Sequence, residues 1–142
     1  MGSAELEDVL VESFSASLAR LGSYESLTLE IGTSWAPRDG GLLCRFSVRC
    51  LLYDAELVGG EEEKKEQHLL ARMMYGIVCE YELEESDREL LPDLEPEVVG
   101  AFTQEVALPT AFPYIREAIG CMSARLGFPG VTLGTFRAGP LA

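Results

Sequence analysis

The chain has 142 residues, of which 24 are acidic and 11 basic, for a formal net charge of −13. That length suits one domain with a single core, and the charge repels DNA, RNA and anionic lipid, so nucleic-acid binding is not expected. The hydrophobic fraction of 47% is too high for a disordered acidic chain. It permits a protein that displays apolar surface while charge repulsion keeps it in solution.

The opening Met1 to Glu5 lacks the basic start and apolar run of a secretory signal, and Leu6 breaks the myristoylation pattern. No stretch approaches the ~20 apolar residues that span a bilayer. The expectation is a cytoplasmic protein with no direct membrane insertion.

Ala4 to Val11 reads as a strand start or a helical turn. Leu10 to Leu18 alternates weakly, with Leu10, Phe14, Ala16 and Leu18 on one face of a strand. Tyr24 to Ser34 alternates better: Leu27, Leu29, Ile31 and Thr33 share a face, as in a half-buried strand. Pro37 to Gly41 makes a turn. Leu42 to Tyr53 is the clearest strand, with Leu42, Cys44, Phe46, Val48, Cys50 and Leu52 on its apolar face. The charge run Glu61 to Glu66 sits in a glycine-marked hairpin loop over 58–67, a solvated connection rather than a site. Leu69 to Leu83 is the fourth strand, in which Gly76 marks a bulge. An acidic connection covers 86–92.

Pro96-Glu97 opens a helical region, because proline suits the first helical position and acid suits its dipole. The region runs to about 126, and Pro109 and Pro113 are expected to bend or interrupt it. Phe112, Ile115, Ile119, Met122 and Leu126 recur at steps of three and four, which places them on one helical stripe. Gly127 and Pro129 stop the helix, and Phe128 caps its end hydrophobically. Residues 127–142 form a C-terminal loop. The fold class is α+β: a four-stranded antiparallel sheet over about 6–83, followed by a long helix packed on one face, in a single domain spanning 1–142.

Nothing in the pattern points to an enzyme. His68 follows the charged loop and reads as a solvated residue, with no Ser or Cys placed to pair with it. There is no glycine-rich phosphate loop. Cys44, Cys50, Cys79 and Cys121 form no Cys-x-x-Cys pair and read as small buried apolar residues, so no metal or other cofactor is assigned. The chemistry-bearing feature is instead the apolar surplus. Val99, Phe102 and Val106 give a second apolar set beside Ile115, Ile119 and Met122, and one sheet face cannot cover both. These six residues are candidates for a self-association interface.

Phe112-Pro113-Tyr114, then Arg116-Glu117 and Ile119, then Arg125, Phe128-Pro129 and Leu133, resemble the SecB family of protein-export chaperones. That family carries an FPYxRE motif on a long helix that ends in a short Phe-Pro loop. The resemblance at residue level covers Phe112 to Leu133; over the strands it is one of order and alternation. It implies a four-stranded antiparallel sheet followed by a long helix, and a homodimer or homotetramer with the helices at the interface. It also implies a holdase that binds non-native or precursor polypeptides in apolar grooves without ATP and passes them to the SecA motor. Phe112, Tyr114, Phe128, Val131 and Leu133 are then the groove candidates, Tyr114 having a competing reading as an interface anchor. Glu80 and Glu82 are candidates for SecA docking through an acidic sheet face. Family members continue into a second helix and a zinc-binding tail. The sequence to Ala142 has no Cys or His after Cys121, so zinc binding and tail-mediated docking are not expected. Two alternatives stand beside the export reading: a SecB-like chaperone dedicated to one client, such as the antitoxin of a toxin–antitoxin system, and a non-chaperone oligomeric assembly subunit.

Overall fold

In a computed structural model, residues 4–56, 66–84 and 95–133 are described. The expected loop over 58–67 (apart from its last two residues), the acidic connection 86–92 and the end of the C-terminal loop lie outside them. Four strands form one antiparallel sheet: β1 Ala4–Leu18, β2 Ser26–Arg38, β3 Gly41–Tyr53 and β4 Leu69–Leu83. Helix α1 Pro96–Phe102, a π-turn Thr103–Ala107 and helix α2 Leu108–Arg125 follow.

The sheet order is β1-β4-β3-β2. β2, β3 and β4 follow one another as antiparallel neighbours, but β1 pairs with β4 and not with its sequence neighbour β2. Pairing between consecutive strands therefore holds for β2, β3 and β4 but not for β1 and β2. Residues 19–25 must cross three strand spacings, about 14 Å. Seven extended residues reach roughly 23 Å, so the crossing is easily made. The result is a Greek-key order.

The central strands carry the core. Leu42, Cys44, Phe46, Val48, Cys50 and Leu52 of β3 and Met73, Ile77, Cys79, Tyr81 and Leu83 of β4 are buried on the helix side. Strand alternation puts Arg45, Arg49, Arg72, Met74 and Glu82 on the outer face. From α2, Leu108, Ala111, Phe112, Ile115, Ile119 and Ser123 point down onto the sheet. Each fully buried Ile or Leu here contributes about 2 kcal/mol. The buried hydroxyls of Thr103 and Ser123 are satisfied within their own helical turns. Thr103 Oγ1 donates to the Val99 carbonyl at 2.8 Å, and Ser123 Oγ to the Ile119 carbonyl at 2.7 Å.

The first strand is longer than its pattern suggested. Ala4 to Val11 is strand and not a helical turn, and the register with β4 shifts after Leu6 and again after Val11. The second shift lies across from Gly76, so the bulge is in β1 rather than in β4. Each extra residue reverses the alternation. Val9 and Val11 therefore face the helices with Phe14, Ala16 and Leu18, while Leu10 opposes Val78 on the outer face. The expected face of Leu10 is corrected by that one bulge.

Pro109 and Pro113 do not break the helical path. A proline ring clashes with the carbonyl four residues earlier, and a π-turn widens the backbone at that point. The π-turn ends at Ala107, just ahead of Pro109, and Pro113 lies inside α2 with the helix continuing. The stop is a Schellman arrangement. Gly127, at φ 97°, donates to the Ala124 carbonyl at 3.1 Å, and Phe128 to the Ser123 carbonyl at 2.8 Å. Phe128 is buried in the core, as the hydrophobic cap requires.

Candidate functional site

Helix α2 divides the helix side of the sheet into two unequal flanks. Taking about 100° per residue, Ile115, Ile119 and Ser123 form its buried face. Tyr114, Ala118, Cys121 and Arg125 form one flank, and Arg116 and Gly120 lie towards the other. On the first flank an open groove of about 480 Å³ separates α2 from β1. Val11, Phe14 and Tyr75 line it from the sheet, and Tyr114, Ala118 and Met122 from the helix. Phe14 is 71% exposed, Val11 55% and Tyr114 45%. Large apolar side chains this open are the informative exception in a folded chain. Glu117 and Arg125 also line the groove. Burial, then the Glu117 carboxylate, push the Tyr75 hydroxyl above its ordinary pKa.

On the second flank the chain turns back after Phe128. The Val131 carbonyl stands 3.9 Å from where a Cβ on Gly120 would be, which places residues 128–133 on the side of α2 away from the groove. Leu27, Leu29, Ile31 and Trp35 of β2 face the helices and pack against the same core, each left partly exposed. They form an apolar strip with the period of two that an extended chain would match. The π-turn reaches this strip between Ile31 and Trp35: Gln104 Nε2 donates to Thr33 Oγ1 at 3.1 Å.

The candidate residues fall into two groups. Of the groove candidates, Tyr114 is exposed, whereas Phe112, Phe128, Val131 and Leu133 are buried in the chain's own core. Of the interface candidates, Val99, Phe102, Ile115 and Ile119 are buried, and Phe102 packs edge-on to Tyr81 with ring centroids 4.9 Å apart. Val106 is exposed and Met122 partly so. Glu80 and Glu82 are on the outer face, opposite Asp8 and Glu5 of β1. Glu80 is held by Arg38 at 2.5 Å. The reading of the residues missed Val11, Phe14 and the β2 strip as surface. The β2 alternation was visible, but the exposure of Phe14 depends on the bulge and on where α2 lies.

Catalytic chemistry has little to work with among the described residues. Cys44, Cys50 and Cys79 are buried, and burial pushes the last two thiols up to about 11, so they stay protonated at neutral pH. Cys121 is exposed on the groove flank, which corrects its expected burial. His68 is not a free solvated residue: its Nδ1 donates to the Asp54 carboxylate at 2.8 Å. No group of three or more His, Cys, Asp or Glu side chains is gathered as a metal site among the described residues. No described helix is long and apolar enough to cross a membrane.

No family model and no curated protein matches the sequence. Among solved structures, the chain superposes on a SecB-like chaperone of Mycobacterium tuberculosis, solved in complex with an antitoxin peptide. The TM-score is 0.74 over 97% of this chain and 93% of that one, at 16% identity. The chain has a SecB-like fold. The four-stranded antiparallel sheet and the long helix after it are the shared elements, and the groove and strip described above are the two apolar surfaces this SecB-like fold leaves beside that helix.

Proposed function

We propose that the chain is an ATP-independent SecB-like holdase that keeps a polypeptide client from aggregating, and that it acts in the cytoplasm as a homodimer or homotetramer. The observation that carries the holdase reading is the partly exposed apolar strip Leu27, Leu29 and Ile31 of β2; the exposed Phe14, Val11 and Tyr114 support the oligomer. The two flanks suit two partners. The groove beside β1 joins the largely exposed Phe14 ring to an open strand edge, and we assign it to a second copy, with Tyr114 and Met122 as anchors. The strip Leu27, Leu29 and Ile31, backed by Phe128, Val131 and Leu133, is assigned to the client. An extended segment laid there gains burial at about 25 cal/mol per Å² of apolar area and can pair its backbone with the free edge of β2.

The antitoxin peptide held by the chaperone of the same fold favours a dedicated client over general export. Delivery to SecA through the acidic end of the outer face, at Glu80 and Glu82, belongs to the export reading. The test is light scattering of slowly aggregating unfolded proteins, with and without the chain and in the absence of ATP. Suppression at near-stoichiometric ratios supports a holdase, and suppression confined to one client among several supports dedication. An oligomer that suppresses none of them is an assembly subunit, and the proposal fails.

A further inference from the structure

The segment that carries β1 across to β2 is tied down at one place. Ala19 and Arg20 both donate backbone N–H groups to the Leu70 carbonyl, at 2.7 and 3.1 Å. The Arg20 guanidinium pairs with the Asp54 carboxylate, which also accepts from His68 Nδ1 at 2.8 Å. Asp54 returns its own N–H to the His68 carbonyl at 3.0 Å. Asp54 directly follows β3 and His68 directly precedes β4. One carboxylate therefore joins the crossing segment to both central strands. Two residues on, Gly22 lies against Leu70 so closely that a Cβ would stand 2.9 Å from Leu70 Cδ2.

The crossing ends where the client strip begins. Glu25 donates its N–H to the Tyr53 carbonyl at 2.9 Å. Tyr24 is partly buried and packs against the core cluster to which Cys50 belongs. Cys50 is the β3 partner of Leu29. Tyr24 thus stands at the end of the strip that continues through Leu27 and Leu29. With Ala19, Arg20 and Gly22 fixed, little freedom is left to the residues that place its ring.

We propose that Asp54, with Arg20 and His68, forms a latch that positions Tyr24 as the end wall of the client strip. The proposal rests on the reading of that strip as the client surface. A wall fixed before the client arrives removes part of the ordering cost of binding. The Arg20 side chain is 49% exposed and that of Asp54 22%. Exposed pairs of this kind add little to global stability. Loss of the latch should therefore be felt in the position of Tyr24 rather than in unfolding.

The test measures the dissociation constant of a fluorescent, permanently unfolded, reduced and carboxymethylated polypeptide. Asp54→Asn and Arg20→Gln should each weaken it about five- to tenfold, because the latch acts on the client only through the ring it positions, with the melting temperature nearly unchanged. In a Tyr24→Ala background neither should weaken it further, because the latch acts through that ring. An effect that adds in full to Tyr24→Ala overturns the latch. So does an unchanged affinity in both latch variants when Leu29→Thr weakens binding. If Leu27→Thr and Leu29→Thr both leave binding untouched, the client strip itself is misplaced and the latch falls with it.

Discussion

Asp54 is the residue on which the most local chemistry converges. The hydrogen bond from His68 holds its carboxyl below its ordinary pKa; burial, the next largest effect, opposes it, and the charges of Arg20 and His68 and the Arg20 hydrogen bond add to the lowering. In the unfolded chain the carboxyl returns to about 3.9. The folded state thus binds the proton less tightly, and stability contributed by Asp54 is present above that unfolded value and lost as pH falls through the lower folded one. Urea midpoints of the native chain and of Asp54→Asn, measured from pH 7 to pH 2.5, should differ only slightly at neutral pH, in favour of the native chain and by no more than an exposed pair supplies, and converge at the acid end. A difference that stays constant with pH would show that the carboxylate charge is not what stabilises this corner. His68, the chain's only histidine, takes part as the donor to Asp54. Sequence position could not reveal this, because the two residues meet only when β3 and β4 pair.

The elements were legible where one physical signal dominated. The Leu42–Tyr53 and Leu69–Leu83 strands read correctly because both central strands bury one continuous apolar face. The helix stop read correctly because Gly127 and Phe128 supply both halves of the cap. β1 was less legible. Its apolar residues other than Leu10 keep one face only if Glu7 and Glu12 are skipped, and a period of two has no way to announce a skipped residue. Glu12 is the extra residue between Val11, opposite Ile77, and Ser13, opposite Gly76. Deleting Glu12 should leave Phe14 facing the groove and lose only the exposed pair with Arg45, worth at most about 1 kcal/mol. Deleting Ser15, which sits in regular register opposite Met74, should turn Ala16 and Leu18 to the opposite face or force the strand to slip. Thermal melts should show a shift of a few degrees at most for the first deletion and a clearly larger loss for the second. Equal losses would mean that the bulge is itself needed, for the twist it gives the sheet edge.

For the whole molecule, the candidate site was only half legible. The apolar surplus of the helical region was visible, but which residues it leaves outside was not. Burial is decided by where α2 crosses the sheet: over β3 and β4, with β1 uncovered. Ile115 and Ile119 were thereby drawn into the chain's own core, and Phe14 was left in the open. A molecule with net charge −13 repels its own copies, so association through this groove needs apolar contact enough to overcome that repulsion. Such contact falls off steeply if a charge is placed at its centre. In a two-fold arrangement the same groove serves both copies, and Cys121 of each lies on the α2 flank that meets the other. The remaining cysteines are buried, so a short bismaleimide reports on Cys121 alone. Cross-linking at low protein concentration should give a covalent dimer from the native chain, none from Cys121→Ser, and much less from Phe14→Glu. Sedimentation should show Phe14→Glu shifted towards the monomer and Cys121→Ser unchanged, because the thiol is a reporter and not an anchor. A native chain that sediments as a monomer at micromolar concentration would remove the second copy from this groove, and Phe14 and Tyr114 would then be free to meet the client directly.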